Sequence, residues 1–153
     1  MPFADLLSRE RIQRIDAPLD RDRVIEHMAT LLARPVEGHG LPASELAERL
    51  RAREKLASTA LGFGVAIPHA RMGSLDAARG AFVRLAEPVQ FAAPDARPVD
   101  LLFAMAVPDD DVAGHLAQLG EIAQRFSDES FRDALRDASD DRELAHRLLE
   151  SDA

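Results

Sequence analysis

Three side chains suited to handling a transferable anion are spread along the chain: Arg53, His69 and His115. His69 sits in the run Gly62–Arg71, GFGVAIPHAR, directly after Pro68. A neutral imidazole is a good nucleophile or general base near pH 7. Pro68 fixes its own φ and biases Ile67 towards an extended conformation, so the backbone constrains where His69 is delivered. Arg53 lies sixteen positions before His69 and His115 forty-six after it. A guanidinium pairs with phosphoryl oxygens through a planar fork. A helix N-terminus adds amide donors and the positive end of a dipole. Loose phosphoryl transfer asks mainly for alignment and charge stabilisation. A nucleophilic histidine, a second histidine, an arginine and a helix start would together make such a site. Ser58 and Thr59 offer hydroxyls in the connecting segment; they either shape it or place one hydroxyl on the phosphoryl group. The competing reading of His69 is a residue that caps a strand by bonding a carbonyl.

The surrounding pattern says which elements would carry these residues. Leu19 to Ala33 reads as a helix, with Val24, Ile25, Met28, Leu31 and Leu32 at helical spacing and Asp20 as its N-cap. Pro35, Gly38 and Gly40 end it. A second helix covers Pro42 to about Leu56, with Pro42 in the first turn and Leu46, Leu50 and Arg53 on related faces. ASTALGFG reads as a loop. Three strand-like runs follow, Val65–Ile67, Gly80–Leu85 and Val99–Val107, which puts His69 at the end of the first. The third is apolar almost throughout, as suits a strand buried on both faces. From Asp111 the pattern turns helical, and Leu116, Leu119, Ile122, Ala123 and Phe126 form a stripe expected mainly in the core. A short helix carries Phe131, Ala134 and Leu135, and a last one starts at Asp140 and Glu143 in the spacing of a capping box. Helices flanking a strand-rich middle imply an α/β or α+β fold, with a small mixed sheet covered by helices. A crossover from the buried strand would carry His115 to the strand ends.

Composition narrows the chemistry. The 153 residues suit one domain, and 46% hydrophobic residues supply a sizeable core. The absence of cysteine excludes disulfides, thiolate metal sites and thiol catalysis. The absence of Tyr and Trp argues against a stacking platform for single strands. A net charge of −8 and a pI near 5.1 weigh against binding phosphate backbones, so nucleic acid is not an expected partner. The opening MPFADLLSRERIQR carries Asp5 and Glu10 and lacks the apolar centre of a signal peptide. Leu101–Pro108, the longest apolar run, is too short to cross a bilayer. A cytoplasmic protein without membrane insertion is expected. Asp109, Asp110 and Asp111 read as a solvated loop whose last member caps a helix, not as a metal site. His27, His39 and His146 are expected at the surface. There is no G-x-S-x-G elbow and no phosphate loop, which argues against a serine hydrolase and against direct use of nucleotide. Neither a metal nor another cofactor is expected.

The stretch REKLASTALGFGVAIPHAR resembles the signature of the fructose/mannitol-type IIA proteins of the bacterial phosphotransferase system, in particular their nitrogen-regulatory branch. GAFVRLAEPVQFAAPDARPVDLLFAMAVP and HLAQLGEIAQRF continue the resemblance, which spans roughly residues 5 to 150 of what reads as one domain over 1–153. The resemblance implies a mixed sheet of about five strands flanked by helices, and a phosphohistidine intermediate. Carried over by motif, His69 is phosphorylated at Nε2 and Arg53 stabilises the phosphoryl group. His115 hydrogen-bonds the phosphate or neutral His69. Pro68, Ser58 and Thr59 neighbour the group. The implied donor is a small histidine-phosphorylated carrier protein charged by a phosphoenolpyruvate-dependent enzyme I. In the nitrogen-regulatory branch the two phosphorylation states bind targets differently, among them potassium transporters and sensor kinases.

Two departures stand out. Gly62, Phe63 and Gly64 replace the usual Gly-Asn-Gly, so Phe63 offers apolar docking surface where the family has an amide. Ala70 and Arg71 replace Gly-Lys, keeping the charge but reducing backbone freedom. Two rival readings share the fold: a separate IIA subunit that feeds a IIB partner in fructose or mannitol uptake, and a binding module in which His69 is structural.

Overall fold

The computed structural model describes residues 3–34, 40–73, 75, 77–109 and 112–150. Two 3-10 turns, Phe3–Leu6 and Arg9–Arg11, lead into β1 (Ile12–Ile15). Helices α1 (Arg21–Ala33) and α2 (Ala43–Leu56) come next. The strands β2 (Ala60–Gly62), β3 (Val65–Ala66), β4 (His69–Arg71), β5 (Arg79–Val89) and β6 (Val99–Val107) follow in turn. Helices α3 (Val112–Phe126), α4 (Glu129–Arg136) and α5 (Asp141–Glu150) close the chain.

The helices form where local signals place them. Asp20 accepts a hydrogen bond from the Arg23 amide at 2.8 Å and caps α1, whose buried face is Val24, Ile25, Met28, Leu31 and Leu32. Leu46 and Leu50 are the buried stripe of α2; Pro42, expected in its first turn, is its N-cap. The amide of Glu143 donates to Asp140 at 2.7 Å, and the Glu143 carboxylate reaches back to the Ser139 amide at 3.0 Å. That is a capping box displaced by one residue.

The six strands form one mixed sheet in the order β1-β5-β6-β3-β2, with β4 also beside β6. β5 and β6 are antiparallel, while β1 runs parallel to β5 and both β3 and β4 run parallel to β6. β6 is buried on both faces, as its apolar run implies. Its alternate side chains feed two cores. Leu102, Ala104 and Ala106 pack with α1 and α2; Leu101, Phe103 and Met105 pack with Ile122, Phe126, Leu135 and Leu148 from the last three helices.

Several expectations need correcting. Ala60–Gly62 is a strand and not part of a loop, because it pairs antiparallel with β3. β1 was not expected at all: Ile-Gln-Arg-Ile is short, and only Ile12 of its four residues is buried. His69 begins β4 and does not end the preceding strand. The apolar run divides at Pro68, which has no N–H to give a ladder; its carbonyl still accepts from the Met105 amide at 2.9 Å. The α3 stripe also divides. Ile122 and Phe126 are core, Leu119 and Ala123 pack at its margin, and Leu116 is 65% exposed. Pro35, Gly38, His39, Asp110 and Asp111 lie outside the described residues. Among the described residues no helix is long and apolar enough to cross a membrane.

Arginines close several helix ends, where the last carbonyls lack intrahelical donors and favour a cation. Arg79 donates to Leu32 and Arg34 after α1, and Arg132 to Phe126 at the end of α3. Arg84, buried in β5, donates from Nη1 to the carbonyls of Arg136 and Ala138 at 2.6 and 2.7 Å. Arg84→Met keeps an apolar stem but leaves these carbonyls without their donor. We expect a loss of about 2 kcal/mol and a fall in Tm of about 6 °C for a chain of this size. Thermal denaturation followed by circular dichroism checks this; an unchanged Tm would mean that water replaces the arginine.

Candidate active site

His69 is held at the point where the chain re-enters the sheet beside β6, in register with Met105. Its Nδ1 lies 2.9 Å from the Ile67 carbonyl oxygen. A carbonyl only accepts, so Nδ1 carries the hydrogen and the lone pair of the neutral ring is on Nε2. Burial, first of all, pushes the imidazole pKa below its ordinary 6.5; the Ile67 bond opposes this, Arg53 and Arg71 reinforce it, and Glu54 opposes it. The ring is therefore neutral at physiological pH. The two readings of His69 are compatible, because bonding a carbonyl through one nitrogen leaves the other basic.

Arg53, in the last turn of α2, donates from Nη1 to the Ala57 carbonyl at 2.8 Å, just past the helix end. His115 stands in the first turn of α3, the helix that follows β6. Arg53, His69 and His115 line one pocket of about 510 Å³, together with Arg49, Arg71 and apolar Leu56, Leu116 and Leu119. A second pocket of about 330 Å³ shares Arg53 and His69 and reaches Ser58, Thr59 and Ile67. Residues far apart in sequence thus meet at the C-terminal end of β6, as a crossover from the buried strand requires. Leu56 is 83% exposed, so both it and Leu116 present apolar surface at the pocket. Arrayed this way, a neutral imidazole, a second imidazole and three guanidinium groups suit an incoming anion that the Nε2 lone pair can attack.

Comparison with known proteins gives the family. Residues 5–151 match the family described as phosphoenolpyruvate-dependent sugar phosphotransferase system, EIIA 2. The chain belongs to that family. The nitrogen regulatory protein of Bradyrhizobium diazoefficiens is 35% identical to this EIIA 2 chain over 149 residues, covering 97% of it and 95% of the relative. That of Pseudomonas aeruginosa is 42% identical over 118 residues, 77% and 75% of the two chains. The crystal structure of nitrogen regulatory protein IIA-Ntr from Neisseria meningitidis superposes with a TM-score of 0.84 at 39% identity, over 95% and 97% of the chains. The IIA mannitol structure from Escherichia coli, at 22% identity and a TM-score of 0.72 over 93% and 98%, shares the fold. Membership and these relatives support a phosphocarrier role.

Other residues of this EIIA 2 protein fall in place around the pocket or away from it. The Ser58 hydroxyl donates to the Phe91 carbonyl and accepts from the Ala60 amide at 3.1 Å. The Thr59 hydroxyl donates to Glu54. Both hydroxyl protons go to acceptors within the protein. Phe63 lines neither pocket. It adopts φ +57° between Gly62 and Gly64, a left-handed conformation unusual for an aromatic residue. Its amide donates to Asp95, its carbonyl accepts from Arg136, and the Arg132 guanidinium lies 4.6 Å from its ring centroid. The ring is 51% exposed and lies by α4, away from His69. His27, expected at the surface, is half-buried, with Nε2 2.8 Å from Gln13 of β1; His146 is exposed. Among the described residues no three His, Asp or Glu side chains gather as metal ligands.

Sequence reasoning missed Glu54. It is buried, and both carboxylate oxygens accept from the Thr59 amide. A signal was available: Glu54 continues the Leu46, Leu50 spacing, so it is a carboxylate on an apolar helix face.

Proposed function

We propose that this EIIA 2 protein is a histidine phosphocarrier that accepts a phosphoryl group on Nε2 of His69 from a histidine-phosphorylated carrier protein, and that its phosphorylation state acts as a regulatory switch. The observation carrying this reading is the Nδ1–Ile67 hydrogen bond, which leaves the lone pair on Nε2 in a pocket shared with Arg53 and His115. In the transfer, the Nε2 lone pair forms the new N–P bond while the donor N–P bond breaks and its electron pair returns to the donor imidazole. The donor ring becomes neutral, and the His69 ring takes up the positive charge, which the Ile67 carbonyl stabilises through Nδ1–H. Arg53 offsets the phosphoryl charge and His115 hydrogen-bonds its oxygens.

The regulatory half of the reading is supported by relatives named nitrogen regulatory proteins. A new dianion beside exposed Leu56 and Leu116 changes what the pocket rim can bind. Targets of the kind the branch implies, potassium transporters and sensor kinases, would then distinguish the two states.

The test is intact-mass analysis after incubation with phosphoenolpyruvate, enzyme I and carrier. One acid-labile phosphoryl group is expected; no gain, with a control acceptor labelled in the same mixture, would overturn the reading. The pH dependence adds a second expectation. Well above 6.5 the ring is neutral and uptake is independent of its titration; as pH falls through a midpoint below 6.5, Nε2 is protonated and uptake is lost. A midpoint at or above 6.5 in single-turnover rates would contradict burial as the dominant influence.

A further inference from the structure

A buried carboxylate next to the site has no part in the transfer just described. Glu54 directly follows Arg53 on α2 and is only 4% exposed. A buried carboxylate is costly unless donors surround it. Here its two oxygens accept from the Thr59 amide at 3.3 and 3.2 Å, and Oε1 also accepts from the Thr59 hydroxyl. The Thr59 carbonyl in turn accepts from the Ile67 amide at 3.1 Å. The Ile67 carbonyl accepts from Nδ1 of His69 at 2.9 Å. A continuous set of hydrogen bonds therefore runs from a buried anion, through the residue that leads into β2, to the imidazole.

We propose that Glu54 is a positioning residue for His69: it anchors Thr59, and through Ile67 sets the orientation and tautomer of the ring. This rests on the reading of His69 as the phosphoryl acceptor. The anchor is mechanical. Ala57 is extended where α2 stops, so the helical backbone ladder does not continue into the segment from Ala57 to Thr59, and side chains of the last turn hold it: Arg53 at the Ala57 carbonyl and Glu54 at Thr59. Glu54 ties that segment back to the helix it has just left. The arrangement is electrostatic as well. Among the described residues the charged or titratable groups around His69 are Arg49, Arg53 and Glu54 from α2, Arg71 from β4 and His115 from α3, while β6 presents apolar Val107. Among the described residues that act on the His69 proton, Glu54 is the anion. Its charge keeps the ring more basic than the arginines alone would.

The experiment compares wild type, Glu54→Gln and Thr59→Val in two measurements. The first is an NMR titration of the His69 ring nitrogens, which needs no phosphoryl donor. The second is the single-turnover rate of phosphoryl uptake from phosphorylated carrier. Glu54→Gln conserves volume and removes the charge, so the His69 midpoint should fall below that of wild type and uptake should slow about tenfold through misalignment. Thr59→Val keeps the charge and cuts one link, so uptake should slow while the midpoint stays put. A residue that only stabilised the fold would leave the midpoint where it is. If Glu54→Gln folds and either the midpoint or the uptake rate equals wild type, the proposal is overturned. If it does not fold, Thr59→Val decides: slower uptake upholds the proposal, and wild-type uptake overturns it. A wild type that takes up no phosphoryl group defeats the phosphocarrier reading instead, and the titration alone then decides whether Glu54 is coupled to His69.

Discussion

His69→Ala is expected to take up no phosphoryl group in a mixture of phosphoenolpyruvate, enzyme I and carrier that adds one group to wild type. The effect should be complete, because the bond that forms needs the Nε2 lone pair and alanine has none. Folding should survive. The imidazole is only partly buried, and its described hydrogen bond is to Ile67, two residues away. The pairing of β4 with β6 uses backbone groups that the substitution leaves in place. Intact mass and a thermal melt on the same sample separate lost chemistry from lost structure. Label persisting at the wild-type level would remove His69 from its proposed role and make His115, in the same pocket, the next acceptor to test.

Arg53→Ala should slow uptake about 100-fold, the scale on which one preorganised charge-stabilising donor contributes. The stability cost is smaller, about 1 kcal/mol for the hydrogen bond to the Ala57 carbonyl. Arg53→Lys restores the charge without the planar fork, so its rate should lie between the two. The pH profile supplies an independent reading. The Arg53 charge lowers the pKa of His69, so its removal moves the acid limb of the uptake profile upwards. Glu54→Gln moves the same limb downwards. Opposite displacements from adjacent residues would be hard to produce by general disruption of α2. An Arg53→Ala rate equal to wild type would refute the assigned role.

The helices, the buried strand and the residue types of the site were legible in the amino-acid order alone. Asp20 and the spacing of Val24, Met28 and Leu31 suffice to specify α1, because helical hydrogen bonds and N-caps join residues three or four apart. The unbroken apolar run of β6 announces burial on both faces without reference to its neighbours. His69, Arg53 and His115, which line one pocket, stand out in the sequence by their chemistry and by the motifs that contain them. Features that depend on distant partners came only with the tertiary fold. β1, β2 and β4 are three or four residues each, and they are strands only because β5, β3 and β6 pair with them. Leu116 repeats the spacing of a core stripe, yet it lies where no partner covers it. The spacing of Glu54 puts a carboxylate on an apolar helix face, but its donors appear only when Thr59 folds back to supply them. Which nitrogen of His69 keeps the lone pair depends on the Ile67 carbonyl, whose direction is set by strand pairing and Pro68. A local pattern can dictate an element whose bonds are local. It cannot say which donor will meet a buried carboxylate or which acceptor will meet a ring nitrogen, because those partners arrive only when the sheet closes.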